Sequence, residues 1–340
     1  MNEARRLLAD VVGRLFTEQV TPEVIEAAER GEWPEGLWQA VEENGLTLTL
    51  VPEAAGGGGG TWGDAHVVVS AVGRHAVPLP LVETIVASWL LAEAGLAVPA
   101  GPLTVAPVQR HAELRLARDG GGWRVSGFAA RVPWGRRAGH VVVVTPVDGR
   151  TMVALVPGGA ARAEGDANLA LEPRDTLTFD AVPALAAAPA ERLPADAIWL
   201  YGALARAAQM AGGLEFLLAQ SVKYAGERRQ FGRAIGSFQA IQHNLALLAG
   251  HSAAAGMAAA HAFRAAEDRV PRFETAAAKV RVGEAAGLGA GIAHQVHGAI
   301  GFTYEHSLHF VTRRLWSWRA EFGGESQWAS ALGREVAARG

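Results

Sequence analysis

The sequence predicts a multidomain α+β chain: an α-helical N-terminal domain, a middle β-barrel and a C-terminal four-helix bundle. Three observations predict it. The chain has 340 residues, too many for one ordinary core. Apolar residues recur at helical spacing up to about residue 100, then fall into short β-rich runs from about Leu103 to Asp180. From about Pro194 the helical spacing returns. The boundaries that follow are 1–102, 103–190 and 191–340.

In the first segment Leu7, Val11, Leu15 and Phe16 form a helical stripe, and "PEVIEAAERGEWPEGLWQAVEENG" supplies two short helices closed by Gly31 and Gly45, where a left-handed cap is wanted. "LTLTLVPEAAGGGGGTWGDAH" reads as a short extended run and a glycine loop, and two more helices follow, parted by Pro78 and Pro80. In the second segment "LTVAPV", "AELRLARD", "GWRVSGFAARV", "HVVVVTPV", "TMVALVP" and "DTLTFDAV" alternate with turns such as "DGGG" and "DGR", the pattern of a small antiparallel barrel or sandwich. In the third, four long helices over roughly 195–226, 236–267, 271–297 and 306–336 read as an up-and-down bundle.

Composition narrows the function. Net charge is −3 with no dense Lys/Arg block, which argues against nucleic acid and anionic membrane surfaces as partners. There is no cysteine, so disulfides, thiolate nucleophiles and Cys-based metal sites are excluded. The charged, amphipathic "MNEARRLLADVVGRLF" is unlike a signal peptide, and no window is apolar enough to span a bilayer. A cytoplasmic protein is expected. His243, His251 and His261 lack partner carboxylates for a metal site, and Gly56–Gly60 lack the Lys-Ser/Thr of a P-loop. Trp316 and Trp318 are expected to pack in the bundle or at an interface.

Two motifs carry chemistry. In "ERRQFG", Arg228 could bind a phosphate bidentately, Phe231 offers a flat face and Gly232 permits close backbone approach. A solvated helix–helix loop has the same composition. In "QVHGAIGFTYEH" a helix stops at Gly298 and restarts after Gly301, leaving backbone and the Gln295 amide open to a planar ligand edge. A glycine-capped helix end is the plainer alternative.

Together these residues resemble the acyl-CoA dehydrogenase family of flavoproteins. The family's R-x-x-F-G element followed by F/H-Q is matched by Arg228, Phe231, Gly232, Phe238 and Gln239. Its Q-x-x-G-G-x-G-F element is matched by Gln295, Gly298, Gly301 and Phe302, with Ala299 in place of one glycine. "VPEAAGGGGG" resembles the family's N-terminal run, and the segment order agrees. The resemblance implies FAD as cofactor, an acyl-CoA substrate and an oligomer in which the arginine turn reaches the FAD of a neighbouring subunit. Carried over residue by residue, the cofactor-binding set is Arg228, Phe231, Gln239, Gln295, Val296, His297, Gly298 and Ala299.

The family's catalytic glutamate precedes a glycine after the second motif, where this chain has Phe322 before Gly323, with Glu321 one place off. In a second subgroup the base lies on the first bundle helix, at or close to Tyr201 here. Glu321 is therefore the catalytic candidate, on condition of a one-residue shift; Glu305 reads better as a first-turn helix residue. "ARVPWGRRAGH" puts Pro133 where the family has a hydroxyl residue near the flavin. "GFTYEHSLH" and "VPWGRRA" also resemble a short bacterial subgroup from the degradation of sterols and other bulky acids, some of whose members are α2β2 heterotetramers. Three readings follow: a homo-oligomeric dehydrogenase, a non-catalytic partner subunit of a heteromeric one, and a flavin-free binding protein of the same fold.

Overall fold

The computed structural model describes residues 3–109, 113–303 and 305–339. Helices α1 (Glu3–Gln19), α2 (Pro22–Glu29), α3 (Glu35–Glu43), α4 (Trp62–Arg74) and α5 (Leu81–Glu93) come first. Thr21 caps α2, and Thr61 and Asp64 form a capping box on α4 that Arg5 of α1 joins at 2.9 Å from Asp64. Gly31 and Gly45 take φ of +94° and +68° as the chain leaves α2 and α3. The expected extended run at "LTLTLVP" is instead a 3-10 turn over Leu46–Leu48. Its alternation is a local turn that buries Leu46 and Leu50 in the core, not a pleat.

The middle segment holds β1 (Leu103–Ala106), β2 (Leu114–Asp119), β3 (Gly122–Pro133), β4 (His140–Val147), β5 (Arg150–Pro157), β6 (Arg162–Glu164), β7 (Arg174–Pro183) and β8 (Ala186–Pro189). The barrel expectation is corrected here. The strands form two separate four-stranded sheets, β1-β4-β5-β8 and β2-β3-β7-β6, with no closure between them among the described residues, and β1 runs parallel to β4. The run of valines from Val141 to Val144 in β4 shows why the sheets stay open. Val141 and Val143 enter the core between the sheets, while Val142 and Val144 enter the core shared with the helices. A sheet covered on both faces, by the other sheet and by helices, does not need to close on itself.

The C-terminal segment contains α6 (Ala197–Glu227), a small hairpin of β9 (Arg229–Gln230) and β10 (Arg233–Ala234), then α7 (Gln239–Ala265), α8 (Arg272–His297), α9 (Leu308–Ala320) and α10 (Glu325–Arg339). The predicted fourth helix over 306–336 is thus two helices. Its break is built from Glu321 in extended conformation, then Phe322 and Gly323 at φ +53° and +94°. Helix α6 is the axis of the molecule: every residue from Ala197 to Leu214 is buried. It crosses α4 at two glycines facing opposite backbones. A Cβ on Gly73 would lie 1.9 Å from the Gln209 carbonyl oxygen, and one on Gly212 would lie 1.9 Å from that of Ser70. Gly212→Ala is therefore expected to force the helices apart and lower stability by about 2 kcal/mol, read by chemical denaturation.

The three segments are joined by buried ion pairs. Arg206 of α6 bonds Glu83 of α5 at 2.6 Å and Glu321 at 2.7 Å. Arg174 of β7 bonds Glu321 at 2.7 Å and Glu172 at 2.8 Å. Arg314 of α9 lies 3.2 Å from Glu172 and 3.7 Å from Glu29 of α2, which Arg313 also holds at 2.7 Å. Four carboxylates and four guanidiniums balance, so the cluster carries no formal excess charge. Beside it the buried Lys279 ammonium donates to the last carbonyls of α9, those of Trp318 and Arg319. Burial pushes its pKa down to about 7.

Candidate functional site

Helices α6 and α8 end, and α7 and α9 begin, at one end of the bundle. Tyr224 near the end of α6 stacks on His297 at the end of α8 with ring centroids 4.5 Å apart, and His306 meets both rings edge-on. This stack brings the arginine turn and the glutamine–glycine element together. Tyr224 was not singled out from the sequence, because its role depends on a contact across 73 positions.

The arginine turn is a two-residue hairpin. Arg229 pairs with Ala234 and Gln230 with Arg233, leaving Phe231 and Gly232 as the loop at φ +51° and +80°. Such turns need positive φ at both central positions and favour Asn-Gly. Phenylalanine there is strained, and its ring is 92% exposed. The strained turn holds this ring out in solvent. Phe238 meets the Phe231 ring edge-on at 6.1 Å, and Arg233 lies 4.2 Å over Phe238. Arg228 ends α6 through its own N–H to Tyr224 O, and its exposed guanidinium has no ion-pair partner among the described residues. Gln239 is exposed at the first position of α7.

On α8, Gln295 is exposed, whereas Val296 and His297 are buried. Val296 can meet a ligand only through its backbone. Burial lowers the pKa of His297, whose Nδ1 lies 2.7 Å from Ala293 O. The neutral ring donates there, and Nε2 has no hydrogen-bond partner in the fold. Gly298 takes φ +63° and ψ −144°, a conformation almost confined to glycine, with open space where a Cβ would stand. Ala299 beside it is exposed. The predicted cofactor-edge residues thus gather at one end of the bundle with a free guanidinium, an aromatic face and open backbone. That set suits the diphosphate and adenosine end of a dinucleotide.

The second region is a cleft of about 290 Å³ between the sheets and the bundle, lined by Val108, Gln109, Arg131, Pro133, Trp199 and the Ala320–Gly323 break. Glu321, the candidate base, is here, but both its oxygens are held. Oε1 accepts from Arg174 Nε at 2.7 Å and Asn168 Nδ2 at 3.2 Å; Oε2 accepts from Arg206 Nε at 2.7 Å and Arg174 Nη2 at 3.1 Å. The two guanidiniums outweigh burial and bring its pKa down to about 2. A carboxylate so stabilised is a weak base. Phe322, which precedes Gly323, fills the adjoining space: a Cβ on Gly202 would lie 2.4 Å from its ring. Tyr201, at the alternative position of the base, is packed between Trp62 and Trp89, and burial raises its pKa to about 12. Pro133 offers no N–H to a flavin carbonyl. The residues of this cleft do not fit a flavin ring with a base beside it.

Sequence comparison decides the family. The profile described as acyl-CoA dehydrogenase, C-terminal domain, matches residues 199–327, and that of the N-terminal domain matches residues 2–97. The acyl-CoA dehydrogenase IpdE2 of Mycobacterium tuberculosis is 31% identical over 92% of this chain and 91% of its own. The chain belongs to the acyl-CoA dehydrogenase family. Among solved structures of similar fold, the Tcur3481-Tcur3483 steroid ACAD superposes with a TM-score of 0.89 at 31% identity, covering 99% of this chain and 98% of that one. The ChsE4-ChsE5 complex from M. tuberculosis gives 0.87 at 25% identity over 99% and 98%. No helix among the described residues of this acyl-CoA dehydrogenase family member is long and apolar enough to cross a membrane. Nor do those residues hold a cluster of three or more His, Asp or Glu suited to a metal.

Proposed function

We propose that this chain is a subunit of an FAD-dependent acyl-CoA dehydrogenase that desaturates an acyl-CoA thioester between its α and β carbons, and that it completes the cofactor site of a partner chain. One observation carries this reading. Most residues of the two cofactor motifs are present, Ala299 replacing one glycine, and Arg228, Phe231, Gln239 and Gln295 are exposed, while the positions for the base hold Phe322 and Tyr201. When bound, FAD supplies the hydride acceptor. In this chain, Arg228 binds the diphosphate as a planar fork, Phe231 covers the cofactor's flank, and Gln295 with the backbone from Val296 to Ala299 receives the adenosine end. Gln239, at the head of α7, lies beside that flank. Glu321 is assigned to holding the α9 break in place, not to proton abstraction.

The partner is a related dehydrogenase chain that keeps its carboxylate base. Two relatives of similar fold bear paired names, Tcur3481-Tcur3483 and ChsE4-ChsE5, which supports a heteromer. So does the outer face of α7 and α8, where Ala246, Leu247, Gly250, Met257, Leu288 and Gly291 are all exposed and uncharged. A cytoplasmic location agrees with this assignment. The test is flavin content, turnover and sedimentation mass, for the chain alone and co-expressed with a candidate partner. The chain alone should carry little flavin and no turnover, and the complex should be yellow and active. A yellow, active oligomer of this chain alone would overturn the subunit reading in favour of a self-sufficient enzyme.

A further inference from the structure

The cleft that does not fit a flavin ring still has the features of a binding site. Its lining includes Trp199, Phe322 and Pro133, which are apolar and flat, and Gln109 and Gln327, which are neutral. Its acid, Glu321, is held by Arg174, Arg206 and Asn168. Among the described lining residues its cation is Arg131. This side chain is exposed, and among the described residues no carboxylate pairs with it. The neighbouring ion cluster balances its own charges, so among the described residues that line the cleft Arg131 is a cation with no ion-pair partner.

Arg131 is also strained. It sits in β3 where the register with β7 shifts between Ala129 and Val132, and its φ is +58°. A left-handed conformation is unfavourable for a non-glycine residue. Glycine would serve the bulge better if the bulge were all that mattered. Strain, a free cation and a concave apolar wall thus coincide at one residue.

We propose that this cleft binds a small carboxylate with a flat apolar body, its anion held by Arg131 and its rings against Trp199 and Phe322. The site stands apart from the dinucleotide edge, which lies where α6 and α8 end.

The test is calorimetric titration of the full chain with 1-naphthoate and its neutral counterpart 1-naphthamide. Naphthoate should bind about tenfold more tightly than the amide, the discrimination expected of one charge-assisted contact. Arg131→Gln should erase that difference, and Arg131→Lys should keep part of it. Arg131→Gly should lose naphthoate binding while its Tm stays level or rises, because glycine relieves the strained φ. A purely structural arginine predicts the reverse, a lowered Tm with unchanged binding, and that result would overturn the proposal. So would naphthamide binding as tightly as naphthoate, or no naphthoate binding by wild-type protein. Flavin content of the complex is a separate readout, so failure here leaves the subunit reading untouched.

Discussion

Glu321→Gln is expected to destabilise the fold by about 3–5 kcal/mol, because removing one partner from a buried ion cluster leaves the others desolvated and uncompensated. Glu321 is 8% exposed and its partners Arg174 and Arg206 are 1% and 2% exposed. The amide keeps the shape and the acceptor oxygen but lacks the charge that two guanidiniums require. The pH dependence has a definite sign. The folded pKa of Glu321 is depressed to about 2 from the ordinary carboxylate value of 4.5. Its contribution is therefore present above about pH 4.5 and lost as pH falls toward 2. Wild-type protein should lose stability across that window, and the variant should lose less. Chemical denaturation at pH 7 and at pH 3 measures both. A variant of native stability and full flavin but no turnover would restore Glu321 as the catalytic base.

Arg228→Ala should lower the flavin affinity of the assembled enzyme by about ten- to a hundredfold. A charge-assisted bidentate contact contributes roughly 1.5–3 kcal/mol. Folding should be unaffected, since the guanidinium is exposed and unpaired among the described residues. Arg228→Lys should also lose affinity, because an ammonium cannot reproduce the planar fork. The measurement is flavin per complex after dilution, with the substitution on this chain only. Unchanged flavin in the Arg228→Ala complex would remove the diphosphate role.

The local part of the architecture was legible in the sequence and the non-local part was not. Helices α6, α7 and α8 and the turn between α6 and α7 follow from periodicity and from residues within a few positions of one another; that the turn is a β-hairpin came from the structure. The pairing of the strands depends on partners such as β1 with β4, and the open sheets on burial of both faces of β4, which a run of valines does not disclose. The break after α9 had a local sign in "EFGG", but helical propensity on both sides concealed it. The status of Glu321 could not be read at all. Its partners Arg174 and Arg206 lie 147 and 115 positions away, and nothing near Glu321 distinguishes a held carboxylate from a free one. Arg131 was hidden in the same way, because its strain comes from a register shift against β7.

The ion cluster also constrains the order in which the molecule can be made. Glu29 and Glu83 are synthesised early, yet the cations that neutralise them belong to α6 and α9. Arg313 and Glu29 are 284 positions apart. At about 5–20 residues per second, roughly a quarter of a minute to a minute separates them on the ribosome. During that interval Glu29 lacks the two guanidiniums that neutralise it, so its docking against α9 waits for the last quarter of the chain. A chain released early, short of α9, leaves Glu29 without Arg313 and Arg314.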